Sequence, residues 1–158
     1  MDLSKIVWVI VILVVVGGAW LLTDDGQDKV YEDATSRLVG NDPDQDVIDE
    51  AALSKYGDLN LSMFRHEKAK KFYTAAVERY GTEGKNYWWN WQQLAKCEEK
   101  LDNAKGAVDI LYNLWLKDGD AFDQRVSSRE NLENRIKNLV ELNDLNILNY
   151  PMDARRLR

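Results

Sequence analysis

Hydrophobic and polar positions divide the chain into three stretches. Residues 6–23, IVWVIVILVVVGGAWLLT, carry no charge, and at about 1.5 Å per helical residue they reach roughly 27 Å, close to the thickness of a bilayer's hydrocarbon. From Asp24 to Asn41 polar residues dominate, with Val30, Tyr31, Ala34 and Leu38 at helical spacing. That spacing predicts a short helix ending at Gly40. Asn41-Asp42-Pro43 then starts a new helix: Asp42 can cap, Pro43 suits the first position, and Asp44, Asp46 and Asp49 favour the positive helix end. This helix is expected to turn Val47, Ile48, Ala52, Tyr56, Leu59 and Met63 toward a core. The next buries Ala69, Phe72, Tyr73, Ala76, Val77 and Tyr80 in an i, i+3, i+4, i+7 stripe.

After a break at Gly81 and Gly84, two more helices are predicted, from about Tyr87 to Leu101 and from Asn103 to Trp115. A last helical region follows Gly119, opened by a Ser127–Glu130 capping box and marked by Val126, Leu132, Ile136, Leu139 and Val140. The tail from Asn143 reads as irregular, with Pro151 and a basic finish of Arg155, Arg156 and Arg158.

Between Glu50 and Lys117 the helices fall into two matching pairs. The first places Leu53, Tyr56-Gly57, Ala69, Tyr73 and Ala76 at the offsets where the second has Trp91, Leu94-Ala95, Ala107 and Leu111; Gly57 to Ala69 and Ala95 to Ala107 are both twelve residues. This resembles the tetratricopeptide pattern W-x2-L-G-x2-Y…A-x3-F, in which two antiparallel helices fill one repeat. The sequence departs from it at Asn60 and Glu98, where tyrosine is usual, and at Gly81 and Gly119, where proline is. The step from Gly57 to Ala95 is thirty-eight residues instead of the usual thirty-four, which lengthens the Gly81–Lys85 loop. A helix hairpin outside this family, with small residues at its contact, is the alternative. With the apolar run and the charge pattern, the resemblance leads to an expected all-α organisation: a transmembrane anchor (1–23), an acidic spacer (24–41), a short α-solenoid of two repeats (42–118), a capping helical region (119–143) and an irregular basic tail (144–158). It also implies a concave groove for a peptide or partner helix, lined by Ser54, Asp58, Leu61 and Ser62 from the first unit and Trp89, Gln92, Lys96, Glu99 and Lys100 from the second. Ser54 and Asp58 stand where the chaperone-binding branch of the family has lysine and asparagine, so a clamp for a C-terminal carboxylate is not expected.

Charge changes the picture little in the repeat region. The net charge is −6; Asp24–Glu50 holds ten acids against Lys29 and Arg37, while residues 51–158 hold sixteen acids and eighteen bases. The near-neutral repeat region argues against nucleic acid, which needs a basic face, and the acidic spacer keeps off anionic lipid. Lys5 and the amino terminus on one side of the apolar run, with Asp24, Asp25 and Asp28 on the other, place the N-terminus in the cytoplasm and the rest across a bacterial-type inner membrane, in the periplasm. A signal peptide cleaved near Gly17-Gly18-Ala19 is the alternative, but the run is longer than usual and barely basic in front. Gly17 and Gly18 open a notch through which another membrane helix could approach.

Catalytic patterns do not emerge. His66 and the lone Cys97 have no visible partner for a metal or a dyad, and Asp42-x-Asp44-x-Asp46 lacks the glycine and glutamate of a calcium loop. In Tyr87-Trp88-Trp89-Asn90-Trp91, the 100° turn per residue sends Trp88 and Trp91 to the core and Trp89 toward the groove or solvent, with packing against the longer loop or the C-terminal helix as the alternative. The expectation is a non-catalytic protein without cofactor or small-molecule substrate, docking through residues 6–23 and its repeat domain to other membrane-complex subunits or envelope proteins. The alternative is a receptor that binds translocating polypeptides transiently.

Overall fold

The computed structural model describes residues 3–152, with side chains from residue 6 onward except at position 14. The side chain of Lys5 and the basic finish at Arg155, Arg156 and Arg158 lie outside the described residues. Every described element is helical, so the fold is all-α. The chain forms two compact units, one up to Leu38 and one from Val39 on.

The first unit holds α1 (Leu3–Leu21) and α2 (Asp24–Ser36). Thr23 separates them: its hydroxyl donates to the Trp20 carbonyl at 2.6 Å and accepts from the Gly26 N–H at 3.2 Å, capping α2. A Cβ at Gly26 would fall 2.1 Å from the Trp20 carbonyl oxygen, so only glycine permits this bend. The two helices turn by 79°; among the described residues no single helix is long and apolar enough to cross a membrane, and the one candidate is the bent pair Ile6–Leu21 with Asp24–Ser36. Trp8, Ile10, Leu13 and Val16 of α1 are exposed, and nothing lies within 4 Å of a Cβ built on Gly17 or Gly18. α2 stops at Ser36 instead of reaching Gly40, because Arg37 turns extended.

In the second unit, Gly40 takes the left-handed region and donates its N–H to the Asp46 carboxylate. α3 (Pro43–Ser62) starts as read, with Asp42 accepting from the Gln45 N–H and Pro43 in the first turn. Then come α4 (His66–Tyr80), a 3-10 turn (Gly81–Glu83), α5 (Tyr87–Lys100), α6 (Ala104–Leu116), the short α7 (Gly119–Phe122), α8 (Arg129–Leu142) and a 3-10 turn (Ile147–Asn149). Each long helix packs on the next: α3 on α4, α4 on α5, α5 on α6 and α6 on α8.

α4 buries all six of the residues its stripe selects. α3 does not follow its own pattern. Val47 and Ile48 are 57% and 60% exposed, and the buried face is Asp49, Glu50, Leu53, Ser54, Gly57 and Asn60. The reason is that Glu50 turns inward to meet backbone. Its carboxylate accepts from the N–H groups of Lys85 and Asn86 just before α5, where Asn86 supplies no side-chain cap. With that face inward, Val47 and Ile48 lie more than about 100° around the helix from Leu53.

Three helix ends share one turn. After α3, Phe64 donates to the Leu61 carbonyl and Arg65 to Asn60; after α5, Asp102 donates to Glu99 and Asn103 to Glu98; after α8, Asp144 donates to Glu141 and Leu145 to Val140. Phe64, Asp102 and Asp144 all have φ between 53° and 60°. These are Schellman closures, satisfying the last carbonyls of each helix with the left-handed residue at C′. After the first two a full helix follows; after the third comes only the 3-10 turn, and Tyr150 plugs back. It is buried, donates to Asp109 at 2.7 Å, and packs edge-on to Tyr112. The tail is therefore docked on α6 as far as Met152. The cap of α8 is Ser128, one residue later than expected, because the Ser127 N–H donates instead to the Gln92 side chain.

Core packing alternates in size. A Cβ at Gly57 would meet the fully buried Tyr73 ring at 2.6 Å, whereas the matching positions in the next pair hold Ala95 and Leu111, both fully buried. Small-with-large and medium-with-medium fill comparable space. Gly57→Ala is therefore expected to destabilise the protein by about 1–3 kcal/mol, read as a lower urea midpoint.

Burial pushes the Cys97 thiol up to about 12, with Glu98 adding to it, and burial followed by the Asp109 hydrogen bond takes the Tyr150 phenol to about 12. Both keep their proton in the folded chain where the unfolded chain has lost it, so stability is complete below the unfolded values and falls as pH rises from about 9 toward 12. Urea midpoints taken across that range should decline, and Cys97→Ala should flatten the decline. A midpoint unchanged up to pH 11 would contradict the burial of both groups.

Candidate docking groove

α3 and α5 flank a recess of about 400 Å³ whose lining includes Asp58, Leu61, Ser62, Trp89, Lys96 and Lys100. All six were picked out from the sequence. Phe64, His66 and Gln93 complete the wall. A second recess of about 410 Å³ shares Asp58 and Trp89 and continues past Ser54 to Glu50, Lys55, Lys85 and Arg125. Trp89 thus lines both recesses.

Two expected groove residues are placed elsewhere. Gln92 is buried and accepts from the Ser127 N–H, while Glu99 is paired with Arg135 of α8 at 2.7 Å. Both serve the junction with the C-terminal helices, because the segment following α7 and α8 itself covers that side of α5. The offsets of a repeat locate a groove position on its own helix but do not tell which positions the next element covers.

The carboxylates of the groove are already engaged. Asp58 accepts from the Tyr73 hydroxyl at 2.6 Å, and burial, with this bond second, pushes the Tyr73 phenol far above its ordinary value. Glu50 is committed to the backbone before α5. The cations are not equally engaged: Lys96 and Lys100 are exposed, one turn apart on α5, and neither meets a carboxylate among the described residues. Some other lysines of this unit are paired, as in Lys70–Glu98 at 3.0 Å and Lys137–Glu133 at 2.6 Å.

Trp89 is half-buried, with the Arg125 guanidinium 5.4 Å from its ring centre. Arg125 is held in turn by Asp123, through Nε at 3.0 Å and a terminal nitrogen at 2.7 Å, and by Asn86 at 3.0 Å. Trp88 stacks on Phe122 at 5.2 Å and Trp91 contributes to both core clusters.

Phe64 is the residue that offsets along helices could not supply, since it lies in the turn. It is 82% exposed and has φ 60°, a region costly for a bulky L-residue. The signal was present at the matching turn position, where the second unit has Asp102, a residue that tolerates this conformation. Among the described residues no group of three or more His, Cys, Asp or Glu side chains is arranged to hold a metal ion. No known protein family, curated protein or solved structure matches the chain.

Phe64→Gly should raise stability. Relief of about 1–2 kcal/mol of left-handed strain, less about 0.5–1 kcal/mol for the greater freedom of glycine when unfolded, leaves a gain of about 0.5–1 kcal/mol. Asp102→Gly should gain less. Guanidinium unfolding of the two variants tests this, and an equal or smaller effect at Phe64 would mean that its backbone is not strained.

Proposed function

We propose that this protein is a non-catalytic, membrane-anchored interaction subunit that docks to a larger membrane complex and stabilises it or helps assemble it. The observation that carries the reading is the recess between α3 and α5, which gathers Trp89, Asp58, Leu61, Ser62, Lys96 and Lys100 on one surface. A tetratricopeptide-like repeat accounts for why these residues, far apart in sequence, converge: they belong to the first helix of each pair. The small residues at the contacts, Gly57, Ala69, Ala95 and Ala107, are buried as that plan requires.

Anchoring through residues 6–23 is supported by the exposed apolar side chains of α1, which lipid would cover. In this reading Gly17 and Gly18 provide a contact for a second membrane helix, and the domain faces the periplasm behind an acidic spacer. An aromatic anchor such as Trp89 suits docking, because a half-buried indole adds contact area with little further loss of freedom.

Affinity purification of the full-length chain from membranes in mild detergent, with quantitative mass spectrometry, tests the reading. A stoichiometric set of membrane proteins is expected. Trp89→Ala should reduce its recovery at least about tenfold if Trp89 is a hot spot of the interface, and Gly17→Leu with Gly18→Leu should do so if the span also docks. Recovery of no stoichiometric partner from native membranes would refute an accessory-subunit role.

A further inference from the structure

We infer that the groove takes an acidic peptide segment with one bulky apolar side chain, the apolar group seated against Phe64 and the carboxylates reaching Lys96 and Lys100. This rests on the docking reading above and adds a chemistry to it.

The charge of the groove is set by Lys96 and Lys100 against Asp58. Asp58 faces the groove but its carboxylate takes the Tyr73 hydroxyl. In the adjoining recess Glu50 is only 3% exposed and is directed at two backbone N–H groups. Lys96 and Lys100 are exposed and meet no carboxylate among the described residues, although Glu98 and Glu99 lie beside them in sequence. Those two glutamates are paired with Lys70 of α4 and Arg135 of α8. In the recess two lysines, one helical turn apart, therefore face the single carboxylate of Asp58, and the positive side chains outnumber the negative. Neighbours at that spacing can engage adjacent carboxylates of one extended or helical segment. A basic segment would meet like charge at both.

Phe64 supplies the apolar half. Its conformation and its exposure both work against the fold, and the chain closes the same turn after α5 and α8 with aspartate. A phenylalanine at this turn contributes nothing to closing it. It does place an aromatic ring on the groove wall beside His66, which it meets edge-on at 6.2 Å, and Leu61. Strain held at an exposed site is a recognised mark of a binding position.

Selection of short random peptides, displayed on their encoding RNA, against the full-length chain in detergent micelles tests the inference. Enriched peptides should be net acidic and carry a phenylalanine, leucine or tryptophan. Replacing both lysines, K96E with K100E, should reduce their recovery at least about tenfold through lost attraction and new repulsion. Phe64→Gly should remove the apolar preference while the acidic one persists. Thermal melting of each variant, expected to match or exceed wild type for Phe64→Gly, separates loss of binding from loss of fold. Acidic peptides whose recovery ignores K96E with K100E would overturn the inference. Neutral or basic peptides that are lost in Trp89→Ala would overturn it too, while leaving the groove as a docking site. Enrichment insensitive to every one of these substitutions, or none at all, would remove both readings.

Discussion

The carboxylate of Glu50, buried near the start of α3, accepts from the N–H groups of Lys85 and Asn86 and so supplies the cap that α5 lacks from its own side chains. A carboxylate there answers both the orphan donors and the positive end of the helix. It also ties the residues just before α5 to α3. The spacing of the two groove walls follows from that tie. Without it the lengthened loop at Gly81–Lys85 would leave α5 free to shift against α3, and a buried acid would remain without partners, a cost of several kcal/mol.

Around this tie the packing is a matter of matched volumes. Gly57 lets the Tyr73 ring lie against α3 closely enough for its hydroxyl to reach Asp58. That bond in turn fixes the Asp58 carboxylate at the groove, where it remains a charge beside Lys96 and Lys100. A packing choice in the core thus positions a surface charge: glycine admits tyrosine, and tyrosine holds the aspartate beside the lysines of α5.

How much of this could be read from the sequence depended on what each face packs against. α4 was legible because it is enclosed by α3 and α5, and an enclosed helix shows its burial as a plain apolar stripe. α3 was not, since its inner face carries Asp49, Glu50, Ser54, Gly57 and Asn60 beside Leu53, small and polar residues that leave no apolar stripe; Val47 and Ile48 followed a helical period on the wrong side. In the groove, Asp58, Leu61, Ser62, Trp89, Lys96 and Lys100 were found by offset within one repeat. Gln92 and Glu99 were misplaced by the same rule, which carries no information about the chain that comes after α6. Phe64 was missed because a turn residue has no helical register, and Tyr150 because a docked tail without periodicity looks the same as a loose one.

The arrangement at Trp89 shows how the site can be firm and open together. Arg125 lies over the indole and is itself fixed by Asp123 and Asn86, so the ring's freedom is already restricted before any partner arrives. Arg125 lines one of the two recesses that Trp89 borders and not the other. The ring is thus braced from the side of the C-terminal segment and presented to the side of Lys96 and Lys100. Bracing of this kind lowers the entropy lost on association, which matters more to affinity than added area. The segment between α7 and α8 thus reaches one recess through the Arg125 guanidinium, whereas Phe64 meets His66 edge-on from a strained turn. The two aromatics of the groove are therefore held by opposite means: one by partners within the fold, the other by a turn that tolerates it poorly.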